Sequence, residues 1–259
     1  MIRGLYTSGW SMLAVQKKMD VITNNMANAS TSGFKKDTLV LESFPDVLTK
    51  IVNDHNGTAN STRNIGTMEL GNDVGEVYTN YMQGQLTSTE NSLDMAIRDS
   101  SNAFFTIEKT DADGNTNTYY TRNGSFTRSS DNILVTAEGY AVLGENGPIV
   151  LGSGSFSVGE DGSILQNGEI LDKLLITEFA DTTELKKYGD NLIQADAGAQ
   201  TQAFSGTVQQ GFVELSNVNI VREMVDMITV MRSYEANQKV LQSMDSTLEK
   251  AVNEVGRVG

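Results

Sequence analysis

The sequence predicts an α+β fold. Long N- and C-terminal helices, discontinuous in sequence, form a coiled-coil-like domain, and a mainly antiparallel β domain lies between them. Three observations carry this reading. Apolar residues follow a 3-4 alternation at both ends. Tight-turn dipeptides punctuate the middle: Asp113-Gly114, Asn123-Gly124, Asn146-Gly147, Asp161-Gly162 and Asn167-Gly168. No helix-length apolar periodicity returns until after residue 216. Four segments follow: 1–36 (helix and junction), 37–84 (extended linker or β segment), 85–205 (central β domain) and 206–259 (return segment and helix).

The first element is a helix over residues 5–29. Leu5, Met12, Met19 and Met26 are spaced by seven, and Ser8, Val15, Ile22 and Ala29 each follow by three. Gln16, Lys17, Lys18 and Asp20 lie off this seam. At 1.5 Å per residue the helix is about 38 Å long. It runs into TNNMANASTSGFKK, residues 23–36, where Asn, Ser and Thr compete for backbone hydrogen bonds and favour caps and turns. Ser30, Thr31 and Ser32 are expected to end the helix. Gly33 suits the left-handed C′ position, with Phe34 folding back as the apolar residue after it. Asn24 and Asn28 are i,i+4 neighbours on a polar face.

Residues 37–84 are less regular, with weak strands near DTLVLES and GEVYTNY. Between them NDHNGTANSTRN reads as an exposed, mobile loop, and the single histidine, His55, as a solvated residue within it. From 85 to 205 the runs AFFTIEK, NTYYTR, SFTRSS, NILVTA, YAVLG, PIVLG and SILQNG alternate with turns, as in a twisted antiparallel sheet or small barrel.

The last element is a helix from Ile220 to Val255, unbroken by Gly or Pro. Ile220, Met224, Met227, Met231, Tyr234, Leu241, Leu248, Val252 and Val255 keep the 3-4 spacing, interrupted by Gln238 and Asp245. Asn217 or Asn219 serves as N-cap, and Glu235 and Lys239 form an i,i+4 pair on an outer face. A lone helix is marginal in water, so each seam needs a partner. The two helices could pair with each other or with copies in neighbouring subunits. Eight of the eleven methionines lie in these two ends, and Met adapts to several partners.

Charge and composition exclude several functions. The net charge is −14, which disfavours general binding to nucleic acid or anionic membranes. Residues 1–36 carry +4 (five Lys/Arg, one Asp) and residues 217–259 carry −1 (five Lys/Arg, six Asp/Glu), so residues 37–216 hold −17. Cysteine is absent, which removes disulfides, thiolate catalysis and Cys-based zinc sites. Membrane insertion is not expected, because no apolar run reaches about 18 residues. The N-terminus lacks the apolar block of a cleaved secretory signal. DADGNTN places Asp111, Asp113 and Asn115 like the first ligands of a calcium loop, but Thr116 and Arg122 stand where Gly and Glu are needed. No nucleotide, zinc-protease or nucleophile-elbow motif occurs. No catalytic, metal or cofactor residues are assigned.

Several stretches resemble bacterial flagellar axial proteins of the rod and hook class. Asn24, Asn25, Ala27, Asn28, Thr31, Gly33, Phe34 and Lys35 match that family's NN-x-AN-x-x-T-x-GFK signature. QGQLTSTENSLDMAI is similar to its entry into the central β domain, and YYTRNGSFTRSSDNILVTAEGYAVLGENGPI to the core of that domain. VQQGFVELSNVNIVREMVDMITVMRSYEANQKVLQ resembles its closing segment and terminal helix. Where the family has Gly-x-Gly before the paired Phe residues, this chain has Ser101-Asn102-Ala103 before Phe104-Phe105. There is no room for the extra outer domain of hook proteins, which favours a rod protein of the FlgF or FlgG type.

The resemblance implies a structural subunit that leaves the cell unfolded through the flagellar type III export apparatus and stacks helically into a tube. Its partners would be further copies and neighbouring rod and hook proteins. The assembly interface expected is Leu5, Met12, Val15, Met19, Ile22 and Met26 on one helix, and Ile220, Met224, Met227, Met231, Tyr234, Leu241 and Leu248 on the other. The junction residues Asn24, Asn25, Asn28, Thr31, Gly33 and Phe34 set an exit angle, with the Asn cluster bonding across subunits. Two other readings stay open: a surface adhesin or binding module with a helical stalk, and a peptidoglycan hydrolase for which no motif appears.

Overall fold

The computed structural model describes residues 2–44, 47–54, 61–68, 71–110, 115–152, 154–189 and 191–255. His55, Asp111 and Asp113 lie outside these residues, as does the 55–60 part of the predicted mobile loop. The chain forms two compact units: one of residues 1–26, 37–79 and 220–259, the other of residues 27–36 and 80–219. The junction 27–36 belongs to the β unit, and the 37–79 segment belongs with the helices.

In the helical unit, α1 spans Ile2–Ala27. It stops two residues before the predicted end at 29. Asn28 takes the Thr31 N–H on its carbonyl (3.1 Å), and Thr31 then takes the Phe34 N–H (3.3 Å), so local turns replace the helical ladder. Asn28 is thus outside the helix, just beyond its last residue. Four strands follow: β1 (Lys36–Ser43), β2 (Val47–Asp54), β3 (Ser61–Met68) and β4 (Asn72–Asn80). β2 and β3 make an antiparallel hairpin, and β1 pairs with β4. Helix α2 spans Ile220–Lys250 and continues as a π-helical turn, Ala251–Val255. Asn219 directly precedes α2 at the predicted cap position.

Helices α1 and α2 lie antiparallel. A Cβ on Gly4 would come within 2.5 Å of Met244 Cε. At the other end, Asn25 donates to Glu223 Oε2 at 3.3 Å. Low numbers on α1 meet high numbers on α2, and the reverse.

The β unit opens with β5 (Leu86–Ser88), β6 (Met95–Arg98), β7 (Ala103–Thr110) and β8 (Thr116–Thr121). It continues through β9 (Phe126–Arg128), β10 (Leu134–Thr136), β11 (Ala141–Gly144) and β12 (Gly147–Pro148). Next come β13 (Phe156–Val158), β14 (Ser163–Gln166), β15 (Glu169–Lys173) and β16 (Ile176–Phe179). Last are β17 (Leu185–Tyr188), β18 (Leu192–Ala195), β19 (Thr201–Gln202), β20 (Thr207–Gln210) and β21 (Phe212–Glu214). The main sheet runs β17-β18-β8-β7-β11-β10-β9, with β12 paired on β11 and β16 on β7.

β7 is the centre of this unit because both of its faces are covered. Ala103, Phe105 and Ile107 enter the larger core with Met95, Phe126, Leu134 and Ile149. Phe104 points the other way, into a second cluster with Tyr81, Phe179, Leu185 and Ile193. That alternation is the period-2 geometry of a strand. The C-terminal strands β20 and β21 fall past the predicted boundary at 205. They return to pair with β6 and β5, closing the unit with strands from its two sequence ends.

Candidate assembly site: the junction and the helix pair

The GFK stretch of the junction is buried. Gly33 donates its N–H to the Glu214 carbonyl at 2.7 Å. It has the predicted left-handed backbone (φ 70°), but six residues beyond the helix end and not at its C′ position. Its role is a close approach: a Cβ there would lie 2.5 Å from the backbone of Arg122 and Asn123. The Phe34 ring lies under the Lys187 ammonium, 4.1 Å from the ring centroid. Lys187 also donates to the Lys35 carbonyl at 2.5 Å, and Asn191 to that of Ser32 at 3.0 Å.

Below the junction, one carboxylate holds two cations. Glu214 Oε1 accepts from Lys35 Nζ at 2.6 Å and from the Gly84 N–H at 2.8 Å. Its Oε2 accepts from Arg122 Nε at 2.5 Å. All three side chains are at most 2% exposed. Arg122 spends its remaining donors on the carbonyls of Ile97, Ser100 and Ala103, and Lys35 also reaches Met82 O. Burial pushes the Lys35 ammonium down to about 8, with Arg122 adding to the fall and Glu214 opposing it. Burial also disfavours charge on Glu214, but Arg122 and Lys35 outweigh it and hold that carboxyl below its usual range. The Arg122 contacts span the turn that departs from the family glycine pattern. Among residues 99–103 the left-handed backbone falls on Asp99 (φ 66°), while Ser101, Asn102 and Ala103 need no positive φ.

Two asparagines latch the chain where it leaves each unit. In the helical unit, Asn25 accepts the Asp37 N–H (2.9 Å), donates to the Asp37 carbonyl (2.8 Å) and reaches Glu223. Asp37 in turn accepts from the Thr79 hydroxyl at 2.7 Å. In the β unit, Asn217 accepts the Lys36 N–H at 2.7 Å and donates to Asn80 O (2.8 Å) and Met82 O (3.1 Å). Asn217 is thus a latch and not the cap of α2. Asn24 is exposed and Asn28 half-buried, with the Thr31 hydroxyl donating to the Asn28 side chain at 3.4 Å.

On α1 the predicted seam is the shielded face. Ile22 is buried and Leu5, Met12, Val15, Met19 and Met26 are half-buried, while Gln16, Lys17, Lys18 and Asp20 are exposed. On α2 the shielded row is Glu223, Met227, Val230, Tyr234, Asn237, Leu241, Met244 and Leu248. It keeps the 3-4 spacing but in a different frame. Met227, Tyr234, Leu241 and Leu248 lie on it, whereas Ile220, Met224, Met231 and Val252 are exposed. The polar residues Glu223 and Asn237 occupy the inner row, which a purely apolar pattern passes over. Arg122 and Glu214 carry no local sequence signal, since only the closed fold brings them to Lys35. Glu223 does carry one: a carboxylate at i−4 from Met227 along an apolar row.

Among the described residues no group of three or more His, Asp or Glu side chains is placed to hold a metal ion. None of the described helices is long and apolar enough to cross a membrane.

Comparison with known proteins agrees with this geometry. Residues 5–35 match the family described as flagella basal body rod protein. Residues 100–168 match the flagellar hook protein FlgE/F/G D1 domain, and residues 209–254 the flagellar basal body rod FlgEFG protein C-terminal family. The flagellar basal-body rod protein FlgG of Bacillus subtilis is 32% identical, over 98% of this chain and 99% of its own. FlgF of Rhizobium meliloti is 30% identical over 98% of both chains. The hook-basal body complex protein FlhO of Bacillus subtilis is 29% identical over the full length of both. Fold and matches define a structural component of a bacterial flagellar axis. The chain belongs to the flagellar basal-body rod protein family.

Proposed function

We propose that this chain is an axial subunit that polymerises helically through its terminal helices into the torque-transmitting tube of the rod. One observation carries the reading: α1 and α2 shield one face of each other and still leave a large apolar surface in water. Val221, Met224, Val225, Ile228 and Met231 are exposed on α2, as are Tyr6, Trp10 and Leu13 on α1. Neighbouring rod and hook proteins are the further partners. Delivery is through the flagellar type III export apparatus, in an unfolded state and without a cleaved signal, to the basal body. The helix pair gains much of its order on assembly, which restrains polymerisation before delivery. Stiffness then comes from many repeated helix contacts and not from a catalytic centre.

Electron microscopy of concentrated protein tests the reading. Helical tubes or protofilaments are expected. A discrete oligomer of fixed size would instead favour an adhesin or binding module on a helical stalk. Hydrogen exchange tests the ordering step: weak protection of α1 and α2 in the monomer and strong protection in the polymer are expected, and full protection in the monomer would overturn it.

A further inference from the structure

Strands β8 and β18 are neighbours in the main sheet, but their ladder is short. It pairs Leu192 with Thr121 and Ile193 with Tyr120, and then stops. The next pair of the same kind would be Ala195 with Thr118, and it does not form. β8 stays on β7 as far as Thr116, and β18 stays on β17 as far as Ala195. The two strands therefore part as a wedge that is closed at Ile193–Tyr120.

The wedge leaves main-chain groups without ladder partners. Thr106 gives its N–H to the Leu175 carbonyl, away from β8, so Phe105 and Ile107 are the β7 residues that bond Thr121 and Tyr119. Tyr120 and Thr118 then turn their N–H and C=O groups towards β18. On β18, Asp196 gives its N–H to the Glu184 carbonyl, so Ile193 and Ala195 turn theirs towards β8. Ile193 and Tyr120 satisfy each other. Thr118 and Ala195 face the opening unpaired, and Ala195 is half-buried. A main-chain amide shielded from bulk water needs a partner.

A pocket of about 330 Å³ occupies this wedge. That lies at the lower end of the sizes that hold small ligands. Tyr120 and Phe179 meet edge-to-face at its floor, 5.0 Å between centroids, which holds the Tyr120 ring in one orientation. Thr118 is on the Tyr120 face of β8, and Thr201 is the cross-strand partner of Phe179 and shares its face. The hydroxyls of Thr118, Tyr120 and Thr201 bond no other described residue. Burial raises the Tyr120 hydroxyl above its usual range, so it stays a neutral donor. The one charged lining residue, Asp196, is held by Lys186 at 2.7 Å.

We propose that this wedge binds a neutral saccharide unit. A sugar ring carries donors and acceptors around its edge for the Thr118 and Ala195 amides and for the hydroxyls, and an apolar C–H face for the Tyr120 ring. No lysine or arginine lines the pocket, so nothing in it compensates a phosphate or carboxylate. A protein strand fits poorly, because the wedge is closed at one end and a chain cannot run through it. The site lies wholly within the β unit and is independent of the polymerising role proposed above.

Titration of the isotope-labelled, full-length monomer with cellotriose and with chitotriose tests the site through amide chemical shifts. Saturable changes at Thr118, Tyr120 and Ala195 are expected. Tyr120→Phe keeps the ring and should weaken binding about 2- to 10-fold, the loss of one hydrogen bond. Thr201→Trp, at an exposed position, fills the opening and should abolish the changes. The amide pattern of β7 reports that each variant is folded. A capped tri-alanine peptide should give no saturable change. No saturable change with either sugar, or the same change in Thr201→Trp, overturns the site while the rod role stands. Saturation by the peptide alone assigns the wedge to a protein strand and overturns the saccharide reading.

Discussion

Lys35 meets Glu214 at 2.6 Å across 179 residues of sequence, and Arg122 occupies the other oxygen of the same carboxylate. Two buried cations and one buried anion give this cluster a net positive charge. Removing different members should therefore have very unequal effects. Glu214→Gln leaves Lys35 and Arg122 without their counter-charge and should cost about 3–5 kcal/mol of stability. Lys35→Met leaves a neutral Arg122–Glu214 pair and should cost about 1 kcal/mol or less. Chemical denaturation of the two variants, read from the β unit, distinguishes them. Equal losses would show that the cluster does not act as an electrostatic unit.

The cluster also sets a pH dependence. The folded protein holds Lys35 near 8, against 10.5 for the unstructured side chain. Between these values the unfolded state binds more protons, so Lys35 makes stability rise as pH climbs from about 8 towards 10.5. Glu214 acts in the acid range. Its folded pKa is lowered, so the stability it contributes is present above its unfolded value of 4.5 and is lost as pH falls below it. On raising the pH from 8 to 10, the melting temperature of wild type should rise relative to that of Lys35→Met, so the gap between them widens. An unchanged gap would refute the assignment.

Gly33→Ala should destabilise the β unit by more than about 2 kcal/mol. A left-handed alanine costs roughly 1–2 kcal/mol on its own, and the new Cβ would meet backbone atoms of Arg122 and Asn123 that cannot swing aside. The effect should be visible as faster hydrogen exchange at Gly33 and Phe34. Gly9→Ala, where a Cβ would meet nothing within 4 Å, should instead stabilise α1 by about 1 kcal/mol. Matched effects at the two glycines would contradict their different surroundings.

Asn25→Ala removes three hydrogen bonds from the end of α1 and strips partners from the Asp37 backbone and from buried Glu223. The expected cost is about 1–3 kcal/mol, felt locally. Amide protection should fall in the last turn of α1 and at Asp37, while the β7 core keeps its own. Global loss of protection in the β unit would mean that the latch supports more than its own unit.

The sequence revealed what depends on local spacing and concealed what depends on closure. Heptad spacing located both helices and the shielded face of α1, because a helix with a single apolar side has one way to hide it. On α2 it selected positions from both the shielded row and the exposed side. That helix has two apolar sides, so Met224 and Met231 fit a 3-4 pattern as well as Val230 and Met244 do. Among the turn dipeptides, Asn146-Gly147, Asp161-Gly162 and Asn167-Gly168 fall at turns between paired strands, whereas Asn123-Gly124 joins β8 to β9, which do not pair. β20 and β21 were missed because their partners lie more than a hundred residues upstream, and SGTVQQGFVELS has no turn signal of comparable strength. The signature residues Gly33, Phe34 and Lys35 were visible as a motif, but their burial was not. That depends on Arg122 and Glu214, whose positions only the folded sheet determines.

The Lys35–Glu214 pairing also imposes an order in time. A chain delivered N-terminus first, from a ribosome or a narrow channel, presents Lys35 early and Glu214 only after another 178 residues have passed. Until then the ammonium has no carboxylate to enter the core with, and β5 and β6 have no returning strands. The pairing of β20 and β21 therefore comes last, and a truncated or half-delivered chain leaves Lys35 and Arg122 without their carboxylate.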